Sequence, residues 1–175
     1  MTAASWSKAE LFAALDPEEL QSVRPAFEEV NLAAGQDVIT EGDTGDDMFL
    51  LVSGRIRVSK SMVLKGLSVP VLEAERTGKT LAELSGTQSP FFGEMALLDR
   101  DIRSATVSCL TDCQFLRIDR DRFFRFLTER PDIGVKLVTA LARRLARMVR
   151  KNNVELVKLT TALALVLSRR AKNGG

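Results

Sequence analysis

Short apolar runs separated by turn residues fill the middle of the chain. The runs fall at 30–33, 38–39, 48–52, 56–58, 69–72, 81–84, 105–110 and 115–118, and Gly35-Gln36-Asp37, Gly42-Asp43-Thr44-Gly45-Asp46-Asp47 and Ser53-Gly54 punctuate them. Brief runs with turn signals at roughly ten-residue intervals predict strands of a β-sandwich or barrel.

Helical patterns flank this region on both sides. Asp16-Pro17-Glu18-Glu19 reads as an N-cap, a proline at the first helical position and acidic residues in the first turn. The helix it opens buries Leu20, Val23 and Phe27, and a short helix over 8–15 precedes it. After Asp119, residues 121–127 carry Phe123, Phe124 and Phe126 on a short helix, which Arg130-Pro131-Asp132 ends before starting another. From 133 to about 172 only Gly134 interrupts, and Leu137, Leu141, Leu145, Met148, Asn152, Leu156, Leu159, Leu163 and Val166 recur at spacings of three and four. This is one long helix, or two with a break near Asn152-Asn153. The chain divides into N-terminal helices at 1–29, a β region at 30–119, and a hinge helix with a long C-terminal helix at 120–175.

A length of 175 residues suits one domain with an appended element. Apolar residues at 45% and charged residues at 27% are a globular balance. A net charge of +2 gives no global field that favours nucleic acid or membrane. Residues 1–8 lack a basic stretch followed by an apolar run, and no segment has the roughly 20 apolar residues of a bilayer span, which predicts a cytoplasmic protein. Cys109 and Cys113 are too few for a disulfide framework or a zinc site and read as small strand residues. The chain has no histidine and no tyrosine, so the commonest general base and metal ligand are missing. Neither an enzyme nor a metal protein is expected.

Chemistry concentrates at 91–106. Phe91-Phe92-Gly93-Glu94-Met95-Ala96-Leu97-Leu98 is followed, ten residues after Gly93, by Arg103-Ser104-Ala105-Thr106. A glycine opening a short helical turn lets backbone approach a ligand, and the exposed N–H groups favour an anion. A buried arginine facing them supplies a charge-assisted partner for a phosphate. Glu94, inside the same cradle, suits neutral donors such as a ribose hydroxyl. Taken alone, the same residues also describe an ordinary turn with a surface salt bridge.

Over roughly 11–153 the sequence resembles the cyclic-nucleotide-binding domains of catabolite-activator-like regulators, kinase regulatory subunits and gated channels. The stretches Ala-Gly-Gln-Asp-Val-Ile-Thr-Glu-Gly-Asp at 34–43 and Phe-Leu-Leu-Val-Ser-Gly at 49–54 carry it together with the cassette at 91–106. The resemblance implies a mainly β fold with flanking helices, an eight-stranded jelly roll or double-stranded β-helix. It implies that Arg103 binds the cyclic phosphate, Glu94 the ribose 2'-hydroxyl, and N–H groups near Gly93, Met95, Ala96 and Ser104 the remaining oxygens. Phe92 and Ala105 complete the expected ligand-binding set. In the family, threonine after the arginine accompanies cGMP and alanine cAMP. Ser104 leaves cAMP or cGMP open, with a lean to cAMP by analogy. The segment 61–87 is longer than the usual pair of strands and suggests an extended hairpin near Arg76-Thr77-Gly78-Lys79, with no functional reading.

The apolar stripe of the C-terminal helix, with polar Asn152 inside it, predicts a parallel homodimer. The alternative is that 159–167 docks on a different protein. Arg143, Arg144, Arg147, Arg150 and Lys151 read as a solvated basic face, and without a second helix-turn-helix unit no direct DNA binding is expected. The expected function is a ligand-controlled switch acting on an effector protein the sequence does not identify. A ligand-free dimerisation or scaffold module of the same fold, and the sensor part of a larger transcription regulator or channel, are the alternatives.

Overall fold

The computed structural model describes residues 9–61 and 79–173. Two compact units divide the chain, residues 1–137 and 138–175. The strands of the first are β1 (Glu28–Leu32), β2 (Asp37–Ile39), β3 (Asp47–Ser53), β4 (Arg55–Lys60), β5 (Lys79–Ser85), β6 (Phe91–Phe92), β7 (Thr106–Cys109) and β8 (Cys113–Asp119). They form two four-stranded antiparallel sheets, ordered β1-β8-β3-β6 and β2-β7-β4-β5. The eight-stranded jelly roll expected from the sequence is the fold. The strand expected at 69–72 lies outside the described residues, as does the hairpin near Arg76-Thr77-Gly78, while Lys79 opens β5.

Strand alternation builds the core. Phe49 and Leu51 of β3 and Cys113 and Phe115 of β8 meet Ile39, Ile56, Val107 and Cys109 of the facing sheet. Phe92 stacks on Phe49 with centroids 5.8 Å apart, and Phe115 meets both rings edge-on. The alternate positions, Met48, Leu50, Leu116 and Ile118, are also fully buried on the other face of their sheet. A sheet apolar on both faces needs cover on both.

Local chemistry sets the helices, with some corrections to expectation. Asp16 accepts from the N–H groups of Glu18 and Glu19, both at 2.9 Å, and Glu19 accepts from the Asp16 N–H, a capping box that opens α1 (Pro17–Val23). Of the helix expected over 8–15, the described residues 9–15 form only a three-residue 3-10 turn, Glu10–Phe12, before the cap at Asp16 starts a new element. Phe27 is buried but stands beyond α1, after a 3-10 turn at Arg24–Ala26 whose Pro25 interrupts the α-helical bonding. Its ring packs edge-on against Phe12, with centroids 5.6 Å apart.

Beyond the strands, α2 (Glu94–Asp99) follows β6, and α3 (Arg120–Glu129) starts on an Asp119 cap that accepts from the Arg122 N–H at 2.8 Å. The last helix, α4 (Pro131–Asn173), is continuous, with no break at Asn152-Asn153. A Cβ on Gly134 would come within 3.1–3.3 Å of Leu127, a tight contact, so α3 and the start of α4 approach closely at this glycine. Leu137 and Leu141 are buried, but Leu156, Leu159 and Leu163 are 60–68% exposed. The predicted stripe is present, and its C-terminal leucines are exposed in the single chain. Val166's side chain lies outside the described residues. Among those residues, no helix is long and apolar enough to cross a membrane.

Candidate functional site

The site begins where β6 turns into α2. Gly93 has φ of 86° and caps α2 from the left-handed region. A Cβ there would lie 2.9 Å from the Asp47 carbonyl oxygen and 3.0 Å from Arg103 Nη1. Both backbone angle and close approach therefore demand glycine. Glu94, the first residue of α2, is only 4% exposed, and Ala96 and Leu97 beside it are buried. Met95 points outward at 43% exposure.

Arg103 sits on the strap between α2 and β7, held by backbone before its side chain does anything. Its N–H donates to the Asp43 carbonyl at 2.8 Å, and its own carbonyl accepts from Gly42 at 3.0 Å. The guanidinium is 6% exposed. Nη1 donates to the carbonyls of Asp47, at 2.8 Å, and Gly93, at 3.4 Å, while Nη2 is paired with the Asp47 carboxylate. Gly45 lies flat against it, since a Cβ there would fall 2.5 Å from Nε and Nη2. The 42–45 loop is thus a clamp over the guanidinium.

Asp47 does not stop at Arg103. Its second carboxylate oxygen takes Arg117, which also pairs with Glu28, and Glu28 in turn pairs with Arg122 of α3. The pleat explains the row. Asp47 shares the inward face of β3 with Phe49 and Leu51, Arg117 that of β8 with Phe115, and Glu28 stands directly opposite Arg117 in the β1–β8 register. Hydrogen bonding to Asp47, then to Glu28, raises the Arg117 pKa above its already high value, so it stays a cation. Removing one member of a buried pair strands the other at a cost of about 3–5 kcal/mol, so Arg103–Asp47 matters most. The outer pairs, a third or more exposed, contribute far less.

Of the residues expected to bind ligand, Gly93, Glu94 and Arg103 come together around the start of α2. Phe92 adjoins them by backbone, but its ring belongs to the inter-sheet core. Ala96 is buried, Ala105 is half-buried, and Ser104 and Met95 are exposed. Sequence reading placed Gly45 and Asp47 in a turn and missed both as site residues, along with Arg117. A signal existed: Asp47-x-Phe49-x-Leu51 and Phe115-x-Arg117 each put a charge in phase with core positions. Among the described residues, no group of three His, Cys, Asp or Glu side chains is placed to hold a metal ion.

A buried carboxylate, a buried guanidinium and a glycine-opened turn lie close together here, a set of groups suited to a polar, anionic ligand. Comparison with known proteins agrees with that chemistry. Residues 29–130 match the family model described as cyclic nucleotide-binding domain. The CRP-like cAMP-activated global transcriptional regulator of Mycobacterium tuberculosis is 25% identical over 81% of this chain and 57% of its own length. The cAMP-dependent protein kinase regulatory subunit of Aspergillus niger is 32% identical over 70% of this chain and 26% of its own. The chain therefore spans about half, or less, of the length of these curated relatives. In structure, the Thermus thermophilus catabolite activator protein is similar with a TM-score of 0.73 and 28% identity, over 87% of this chain and 63% of that one.

Proposed function

The chain belongs to the cyclic nucleotide-binding domain family, and from that premise we propose that it is a regulatory protein that binds cAMP or cGMP and passes ligand occupancy to α4. The observation that carries this reading is the burial of two opposite charges at the start of α2: Arg103 at 6% exposure and Glu94 at 4%. In this reading the cyclic phosphate meets Arg103 and the N–H groups of Gly93, Met95, Ala96 and Ser104, and Glu94 accepts from the ribose hydroxyl. Phe92 and Ala105 shape the walls. Charged side chains are rarely this buried, and two of opposite sign beside the glycine-opened start of α2, with Arg103 held by Asp47, are best understood as binding groups rather than surface decoration.

Output runs through α4. Its exposed Leu156, Leu159 and Leu163 form one stripe, which a second copy of the helix covers in a parallel homodimer. Ligand shifts the dimer between two arrangements only as far as its affinity differs between them, typically by about 1–3 kcal/mol.

Calorimetric titration of nucleotide-free protein with cAMP, cGMP and, as a control without the cyclic ester, 5'-AMP tests the reading. Saturable binding of a cyclic form alone supports it and identifies the purine. A folded protein that gives no heat with either cyclic form overturns it in favour of a ligand-free interaction module.

A further inference from the structure

Arg120 opens α3, and its position there makes no sense for α3 alone. A helix N-terminus carries partial positive charge, so a cation in the first turn works against it. The side chain instead reaches back to α2, where Nη1 donates to the carbonyls of both Leu97 and Leu98. Those are the carbonyls that need it. A six-residue helix cannot satisfy its last C=O groups internally. The Ala96 carbonyl is taken by the Arg100 N–H at 3.0 Å. Arg120 caps the next two and sets a positive charge at the negative end of α2.

The guanidinium is held from its other side. It lies 4.5 Å from the centroid of the Phe124 ring, one turn further along α3, and Phe124 packs edge-on against buried Phe123. A second link, Arg100 to Asp121 at 3.5 Å, runs alongside, but both side chains are mostly exposed and it contributes little. We propose that Arg120 is a positioning residue that fastens the C-terminal end of α2 to α3, so that a shift of Glu94 and Gly93 at one end of α2 is felt by α3. The proposal rests on the cyclic-nucleotide reading for the ligand that causes the shift, and on contacts within one unit for the link itself.

Arg120→Met keeps the length of the side chain and removes its donors, whereas Arg120→Lys keeps the charge but cannot serve both carbonyls and the ring as a guanidinium does. Backbone hydrogen exchange is followed in wild type and both variants, first without nucleotide and then saturated with whichever of cAMP or cGMP binds. Without nucleotide, α2 amides exchange about tenfold faster in Arg120→Met, as expected for the loss of two charge-assisted bonds, with Arg120→Lys between. With nucleotide, α3 amides change protection in wild type and lose most of that response in Arg120→Met even at full saturation. An unchanged α2 without nucleotide, or an undiminished α3 response in Arg120→Met, overturns the proposal. A wild type that binds neither nucleotide overturns the functional reading instead, and the nucleotide-free comparison still decides the role of Arg120. Should Arg120→Met not fold, Phe124→Leu removes only the ring behind the guanidinium and must speed α2 exchange in the same direction.

Discussion

The Arg103 guanidinium and the Asp47 carboxylate form an ion pair with only 6% and 14% of the two side chains exposed. The cation is therefore already neutralised, and under the proposed function an incoming phosphate would share or displace a carboxylate. Arg117 pairs with the other oxygen of Asp47 and would keep that carboxylate partnered if Arg103 turned to a ligand.

Asp47→Asn should separate the two effects. The unliganded protein loses stability, by about 3 kcal/mol, because Arg103 and Arg117 lose their shared anion. The rise in Tm on saturation with cyclic nucleotide should exceed that of wild type, since the phosphate then meets an uncompensated arginine. Thermal unfolding with and without ligand gives both numbers. A smaller ligand-induced rise would show that Asp47 aims Arg103 rather than competing for it. The same pair means that Arg103→Ala destabilises the unliganded fold as well as weakening binding by roughly 2–5 kcal/mol, unlike an arginine that faced only the ligand.

Gly45→Ala places a methyl where the guanidinium now lies, 2.5 Å from Nε and Nη2. Backbone bonds at Arg103 fix its main chain, so the side chain is what must move. Affinity for the cyclic nucleotide should fall about tenfold or more, with a loss of stability on the order of 1–2 kcal/mol. Gly42→Ala, where no atom lies within 4 Å but φ is +89°, controls for backbone strain alone. Equal affinity losses in the two variants would remove the clamp.

How far the sequence disclosed this site depends on which property each residue needed. Gly93, Glu94 and Arg103 were legible because they lie within eleven residues of one another and their types are unusual together. Asp47 and Arg117 are 70 residues apart and meet only through the β3–β8 register. Local pattern placed Asp47 in a polar turn, and only the in-phase alternation with Phe49 and Leu51 marked it as inward. The long helix was legible as a helix from its spacing of three and four. Which positions of its stripe are buried was not, since period marks a face of a helix and not what covers it. The N-terminal segment reads as a helix in the sequence because apolar Leu11 and Phe12 are buried there, but their bonding is 3-10 rather than α-helical.

Burial pushes the Cys109 thiol up to about 12, with the neighbouring Cys113 adding to the effect. The raised value has a definite sign. Between its ordinary value near 9 and about 12 the unfolded chain ionises the thiol while the folded one keeps it protonated, so the unfolded state binds fewer protons. Stability should fall as pH rises through that window, and less steeply in Cys109→Ala. Iodoacetamide at pH 8 should leave Cys109 unmodified until denaturant is added. Rapid labelling of the native protein would contradict the burial.

The exposed half of α4 makes the sharpest demand on assembly. Leu156, Leu159 and Leu163 lie within about 60° of one another on a helical wheel. Each is at least 60% exposed in the single chain. Three leucines in line are a poor surface for a lone helix and a good seam for two. Leu156→Asp with Leu163→Asp places two charges in that seam and leaves the sequence of residues 1–137 unchanged. Light scattering should report a dimer for wild type and a monomer for the double variant, while Tm with nucleotide still rises because Arg103, Asp47 and Glu94 are intact. A wild type that is already monomeric at tens of micromolar would turn the stripe over to a different protein as its partner.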